Sequence, residues 1–377
     1  MSTQPNAAQS GGTGWIPDRL SLLRETLLFD WTKWNPRVAW RSVPAMAVAL
    51  AVGIALGSPR AGLVAAAGAF TAGLGSLHRI RGSCLIPMAL ATVGMTLATF
   101  LGMLLGHESL LFVVLAGVWA ATYALLTAMR GGTSWVAQQW TVWFLVSSAF
   151  HTDPRSALMR GGLVLAGGLF QTLASWVEIR WLRRGCETEE TSHGPGLRES
   201  VGSLRQCLSL RTPVCLYSLR MAVVVMVAAE VFRHLNYLSG YWIPMTTLLV
   251  VRADLVQTLT RGVMRVTGTL VGAGVAGLIA THLHPSPAVL AGLIVFFAWW
   301  AYSVLNVNYS LFTLNLTAYV VFLLALSGLP PAEVVHRRAA YTALGGVLAL
   351  LAYVDVFRKT RIWIRSHREQ GGLKQAA

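Results

Sequence analysis

The chain has 377 residues, of which 55% are hydrophobic and only 12% charged, with a net charge of +15 and a mean hydropathy of +0.57. Soluble domains carry about 25% charged residues, so this composition excludes an ordinary water-soluble globule and predicts repeated membrane crossings. The basic excess lies in clusters between apolar runs and at both ends; that distribution fits membrane orientation and contact with anionic lipid, and excludes a nucleic-acid surface.

In chain order, residues 1–36 form a cytoplasmic N-terminal segment with no basic-then-apolar leader, so no cleavable signal peptide is expected. Within it, "DRLSLLRETLLFDW" sets Leu20, Leu23, Leu27 and Trp31 on one helical face, with Arg24 and Glu25 turned away. That pattern predicts an amphipathic helix along the membrane interface. Residues 37–184 hold six apolar runs, at about 38–57, 61–77, 84–106, 110–129, 134–150 and 157–180, each near the length a spanning helix needs. The runs lack the alternation of a barrel strand, so the fold class is an all-α integral membrane protein.

Residues 185–212, beginning "GCETEETSHGPG", read as a polar cytoplasmic linker that ends in a weaker amphipathic segment. Residues 213–357 hold six more runs, at about 214–232, 240–251, 264–281, 287–304, 309–328 and 334–356, and residues 358–377 form a basic cytoplasmic tail. The halves repeat: Arg160 with Gly167-Gly168 matches Arg338 with Gly345-Gly346 at an offset of 178 residues. About twelve transmembrane helices in two parallel six-helix repeats are therefore predicted. Placing both termini inside puts Arg79, Arg81, Arg130 and the Arg252–Arg265 cluster on the cytoplasmic side, with Arg60, Arg233, Arg337 and Arg338 outside.

The four cysteines, Cys84, Cys186, Cys207 and Cys215, contain no CxxC spacing, so neither a disulfide framework nor a zinc site is expected. The GxxxxGK[ST], GxSxG and HExxH signatures are absent, and no paired carboxylate or nucleophile constellation lies within the spans. The expectation is a protein that is not an enzyme and needs no cofactor.

The polar strip of the second half carries the chemistry. After "YWIPMTT" come Arg252, Asp254, Thr258, Arg261, Arg265, Gly268, Thr269 and Gly272. On a helix Thr258, Arg261, Arg265 and Gly268 share one face. Gly268 and Gly272 form a small-xxx-small helix-packing pattern. Arginine offers carboxylates a planar fork, and a basic mouth concentrates organic anions, although four arginines near a membrane face are also what orientation demands. Asp254 is read as a neutralising partner for Arg252 or an ion-coupling group. Gln138, in "WVAQQWTVW", and Asn315, in "LFTLNLTAY", occupy the fifth run of each half, as interhelical bonds or path lining. Glu230, near Arg233 and His234, is either an ion-pair partner or a proton-coupling acid.

Tyr241, Trp242, Pro244, Thr246, Arg252, Thr258, Arg261, Arg265, Gly268, Thr269 and Gly272 together resemble the motif of the fusaric acid resistance-like family of integral membrane transporters, which includes bacterial exporters of aromatic carboxylic acids. The first half keeps only "HRIRGS", with Arg79, Arg81 and Gly82. The resemblance implies export of small organic anions from a bacterial cytoplasm across the inner membrane. It implies an anion path past Arg252, Arg261, Arg265, Tyr241, Trp242, Thr246, Gln138 and Asn315. The partners it implies are the anion, membrane lipids, and a further copy of the chain or a periplasmic efflux adaptor. A passive anion channel and a non-transporting membrane scaffold are the alternatives.

Overall fold

The computed structural model describes residues 28–129, 132–181, 212–235 and 237–353. The first of the two expected amphipathic segments lies largely outside these residues. The linker and second amphipathic segment (185–212) and the basic tail also lie outside them, Thr212 excepted.

Twelve α-helices occur among the described residues: α1 (Pro36–Ala55), α2 (Pro59–Leu74), α3 (Leu85–Leu105), α4 (Leu110–Leu126), α5 (Thr133–Ser147), α6 (Pro154–Trp181), α7 (Pro213–Arg233), α8 (Trp242–Val250), α9 (Leu255–Leu283), α10 (Pro287–Val304), α11 (Tyr309–Leu326) and α12 (Pro331–Leu351). Their ends follow the local sequence. Proline stands at the first turn of α1, α2, α7, α10 and α12, where a missing N–H costs nothing. Ser109, Thr212, Asp254, Ser286 and Asn308 accept bonds from the first free N–H groups of α4, α7, α9, α10 and α11.

Eight of the twelve are long and apolar enough to cross a membrane. Two helices depart from the expected spans for physical reasons. α8 has nine residues, about 13 Å at 1.5 Å per residue, and cannot cross a bilayer alone. α9 has 29 residues and begins at Leu255, not near 264, because Asp254 caps it there. Arg261 and Arg265 consequently sit on this one helix, on the shared face their spacing predicts.

Helix packing is consistent from end to end. α2 lies against α1 and α6, α3 against α5 and α6, and α4 against α5. α8 lies against α7 and α12, α9 against α11 and α12, and α10 against α11. α4 packs on α7, and α10 on α1. Two apolar clusters fill these last seams. One gathers Phe112, Phe144, Met221, Phe232, Trp242 and Leu248; the other gathers Met46, Leu50, Phe70, Ile294, Tyr302 and Phe322. Outside them Leu158, Leu173, Trp176 and Leu278 are exposed, as befits side chains that meet lipid.

The cysteine expectation fails at one position. Cys84 is disulfide-bonded, while Cys215 is free. Spacing along the chain detects only motifs, not pairs that the fold assembles.

Candidate functional site

The break between α8 and α9 sets the geometry. A helix ends with unsatisfied carbonyls, and here the side chains around the break supply donors. Arg261 Nε donates to Leu249 O (3.1 Å), Tyr217 to Val251 O (3.4 Å), and Tyr353 to Arg252 O. The Arg252 N–H donates to Thr258 Oγ1 (2.9 Å), which itself donates to Asp254 O (2.8 Å). Asp254 spends its carboxylate on the N–H groups of Val256 (3.1 Å) and Gln257 (3.2 Å), at the cap of α9. The connection between α2 and α3 is by contrast a tight turn, with Arg81 and Gly82 at positive φ (53° and 76°) and Ile80 paired with Ser83.

The arginines form two tiers. At the mouth, Arg252 and Arg261 line a cavity of about 270 Å³ with Val256, Gln257, Thr260 and Met264. Arg252 Nη1 donates to Tyr123 of α4 (3.0 Å), and Gln138 Nε2 reaches the same hydroxyl (3.4 Å). Tyr123 thus brings Gln138 to Arg252, a link invisible in the sequence. The Arg261 guanidinium lies 3.8 Å from the centre of the Tyr309 ring.

Behind Tyr309 lies the second tier. Arg265 is 3% exposed and donates to Tyr309 Oη (3.4 Å). Arg338, expected on the outer surface, is instead 1% exposed inside α12. Its guanidinium lies 3.8 Å from the Trp242 ring centre and donates to Thr317 Oγ1 (3.1 Å). Among the described residues these two are the only buried side chains of Arg, Lys, His, Asp or Glu. None of Arg252, Arg261, Arg265 and Arg338 pairs with a carboxylate among the described residues. Arg265 Nε, Arg338 Nε and Nη1, and the hydroxyls of Thr246 and Thr269 are buried without a hydrogen-bond partner. Leaving a buried charge unpaired costs several kcal/mol, and no carboxylate among the described residues offsets that cost at Arg265 or Arg338.

The remaining expected residues fall elsewhere. Tyr241 and Trp242 are buried at the start of α8, their rings 4.8 Å apart. Asn315 turns back to the Leu311 carbonyl of its own helix (2.8 Å). Glu230 forms an ion pair with Arg233 (2.6 Å) and lies within hydrogen-bond distance of His234 Nε2 (3.0 Å). At Gly268 and Gly272 a Cβ would run into the carbonyls of Ser310 and Leu314, so α9 approaches α11 backbone to backbone. A wider hollow of about 720 Å³ lies at Thr32–Arg37 and Asn306, but no buried charge converges on it. Sequence reasoning missed the burial of Arg338 and the contacts that Thr317 makes with Arg338 and Tyr309 with Arg265. The available signal for Arg338 was its place inside the run 334–356, since an ionisable residue within a span is a functional candidate by default.

Residues 223–352 match the family described as fusaric acid resistance protein-like. That segment, from within α7 to the end of α12, is similar to this family, and the chain is a multi-pass membrane protein. Among curated relatives, an uncharacterized protein of Neisseria gonorrhoeae is 30% identical over 40% of this chain and 36% of its own length. An uncharacterized protein of Escherichia coli, YhfK, is 31% identical over 39% of this chain and 21% of its own. An uncharacterized membrane protein of Bacillus subtilis, YvaC, is 29% identical over 42% and 24%. The chain therefore spans between about a fifth and a third of these relatives' lengths. No solved structure matches.

Proposed function

We propose that the protein exports small organic anions, aromatic carboxylates foremost, from the cytoplasm of a bacterium across its inner membrane. The observation that carries this reading is the mouth cavity: Arg252 and Arg261 line it with no carboxylate to neutralise them among the described residues, and the buried Arg265 stands behind. A basic entrance of this kind raises the local concentration of anions, and guanidinium forks fit carboxylates. Both termini inside is the orientation that keeps the Arg252–Arg265 cluster and Arg79 cytoplasmic.

The two-repeat architecture belongs to the same proposal. Every helix pair of α1–α6 named above recurs six helices later in α7–α12, and the α4–α7 seam answers the α10–α1 seam. A Cβ at Gly167 would strike the Ala65 carbonyl, and one at Gly345 would lie 2.6 Å from the Ile243 carbonyl, both at the 178-residue offset. The test is flux in proteoliposomes loaded with labelled benzoate. Saturable, protein-dependent efflux is expected, falling about tenfold in the Arg252→Ala, Arg261→Ala double variant, which corresponds to about 1.4 kcal/mol. Absence of flux for benzoate and for a panel of aromatic acids would overturn the reading.

A further inference from the structure

We infer that Arg265 and Arg338 form a binding site for one small organic dianion, two acidic groups on a single compact frame, held between α8, α9, α11 and α12. The inference rests on the anion-transport reading and adds the ligand's charge and resting place.

Four helices supply the donors. α9 gives Arg265 and, one turn on, Thr269; α12 gives Arg338; α11 gives Thr317 and Tyr309; α8 gives Thr246, one turn beyond Trp242. Residues four apart share a helix face, so Thr269 follows Arg265 and Thr246 follows Trp242. The inventory is one-sided. Arg265 Nε, Arg338 Nε and Nη1 and the two threonine hydroxyls stand without partners, and arginine can only donate. The missing complement consists of acceptors, and of negative charge.

The amount of charge follows from burial. Both guanidiniums are withdrawn from water and no buried carboxylate accompanies them among the described residues. A monoanion would leave one buried positive charge uncompensated, while a dianion leaves none. The mouth arginines do not enter this count, because Arg252 and Arg261 face the open cavity and water can hydrate them. Aromatic surface fixes the arms: Trp242 covers one face of Arg338 and Tyr309 receives Arg265, which orients both forks before a ligand arrives and lowers the ordering cost of binding.

The test uses the full chain in lipid nanodiscs, with terephthalate as dianion and benzoate as monoanion, and calorimetry as readout. Wild type should bind terephthalate at least about tenfold tighter than benzoate. Arg265→Gln or Arg338→Gln leaves one buried charge, and should reverse that preference. The double variant should bind neither. Empty Arg338→Gln should melt no lower than wild type, since it loses an uncompensated charge; a structural arginine would melt lower on replacement. Arg338→Lys keeps the charge without the fork, and should keep the dianion preference at weaker affinity. Equal or tighter benzoate binding by wild type overturns the proposal, as does a dianion preference that survives either Gln variant. If liposomes move no aromatic acid while terephthalate still binds as described, export fails and the site stands. If flux depends on the mouth arginines while the Gln variants bind as wild type, the site fails and export stands.

Discussion

Arg261 holds the α8 end and the α11 start together: its Nε bonds the Leu249 carbonyl while its plane covers Tyr309. A cation over an aromatic ring contributes about 0.5–2 kcal/mol, so Arg261→Ala should lower efflux per molecule several-fold with little loss of inserted protein. Lys at this position restores the charge but not the planar fork, and partial rescue is expected. Full activity of the Ala variant in the liposome assay would remove Arg261 from the path. A second residue sets a pH dependence. His78, half-buried between α2 and α3 and stacked on Trp135 at 4.7 Å, is lowered to about 4 by burial. The unfolded chain takes up this proton near pH 6.5 and the folded one only near 4, so stability is complete above about 6.5 and drains as pH falls toward 4. The loss reaches at most about 3 kcal/mol. The melting temperature should fall between pH 7.5 and 5, and His78→Phe, which keeps the stacking, should flatten that fall. Of the two tiers, sequence disclosed the mouth and half of the tier behind it, because Arg261 and Arg265 stand four apart on one helix face with Arg252 just before them. It hid the burial of Arg338, because a charge near the start of a span reads as facing water until packing shows that Trp242 and Thr317 cover it.

At the scale of elements, twelve helices were legible because apolar runs of spanning length admit little else in lipid. The break between α8 and α9 was not, since its start depends on Asp254 capping and on Tyr217 and Tyr353 reaching from α7 and the end of α12. Those are tertiary contacts that no local window contains. Helix packing yields a controlled comparison along α9. Gly268→Ala and Gly272→Ala place a methyl against the backbone of α11 and should destabilise by about 1–3 kcal/mol. Gly274 has nothing within 4 Å of an added Cβ, so Gly274→Ala should be neutral or gain up to about 1 kcal/mol of helix propensity. Thermal unfolding in detergent separates them; equal losses at all three positions would mean that α9 does not owe its seat to small residues.

For the whole molecule, orientation is the quantity to measure. Single-cysteine labels at Ser58, before α2, and at Leu283, at the end of α9, should react with impermeant reagents in intact cells. Labels at Thr127, after α4, and at Gln257, in the first turn of α9, should resist them. The reverse pattern would turn the bundle over and place the arginine mouth outside. The Gly-Gly pairs at matched offset were the sequence signal for the proposed repeat, and they place close helix approaches at Gly167 and Gly345.

α12 carries Glu333, Arg337 and Arg338 within its first eight residues and is not among the helices apolar enough to cross a membrane unaided. Each charge at the centre of a lone helix opposes insertion by about 2.5–3.5 kcal/mol, and the Arg337–Glu333 pair relieves only the part nearest the end. A ribosome delivers this helix after the other eleven. By then Trp242 and Thr317 already exist to receive Arg338, and α8 offers the groove that Gly345 enters. The bundle is thus the solvent for a helix that lipid alone would reject. Fused alone to a passenger domain, α12 should fail to insert, while in the full chain it should span; insertion of the isolated helix would show that the membrane, and not the protein, accepts its charge.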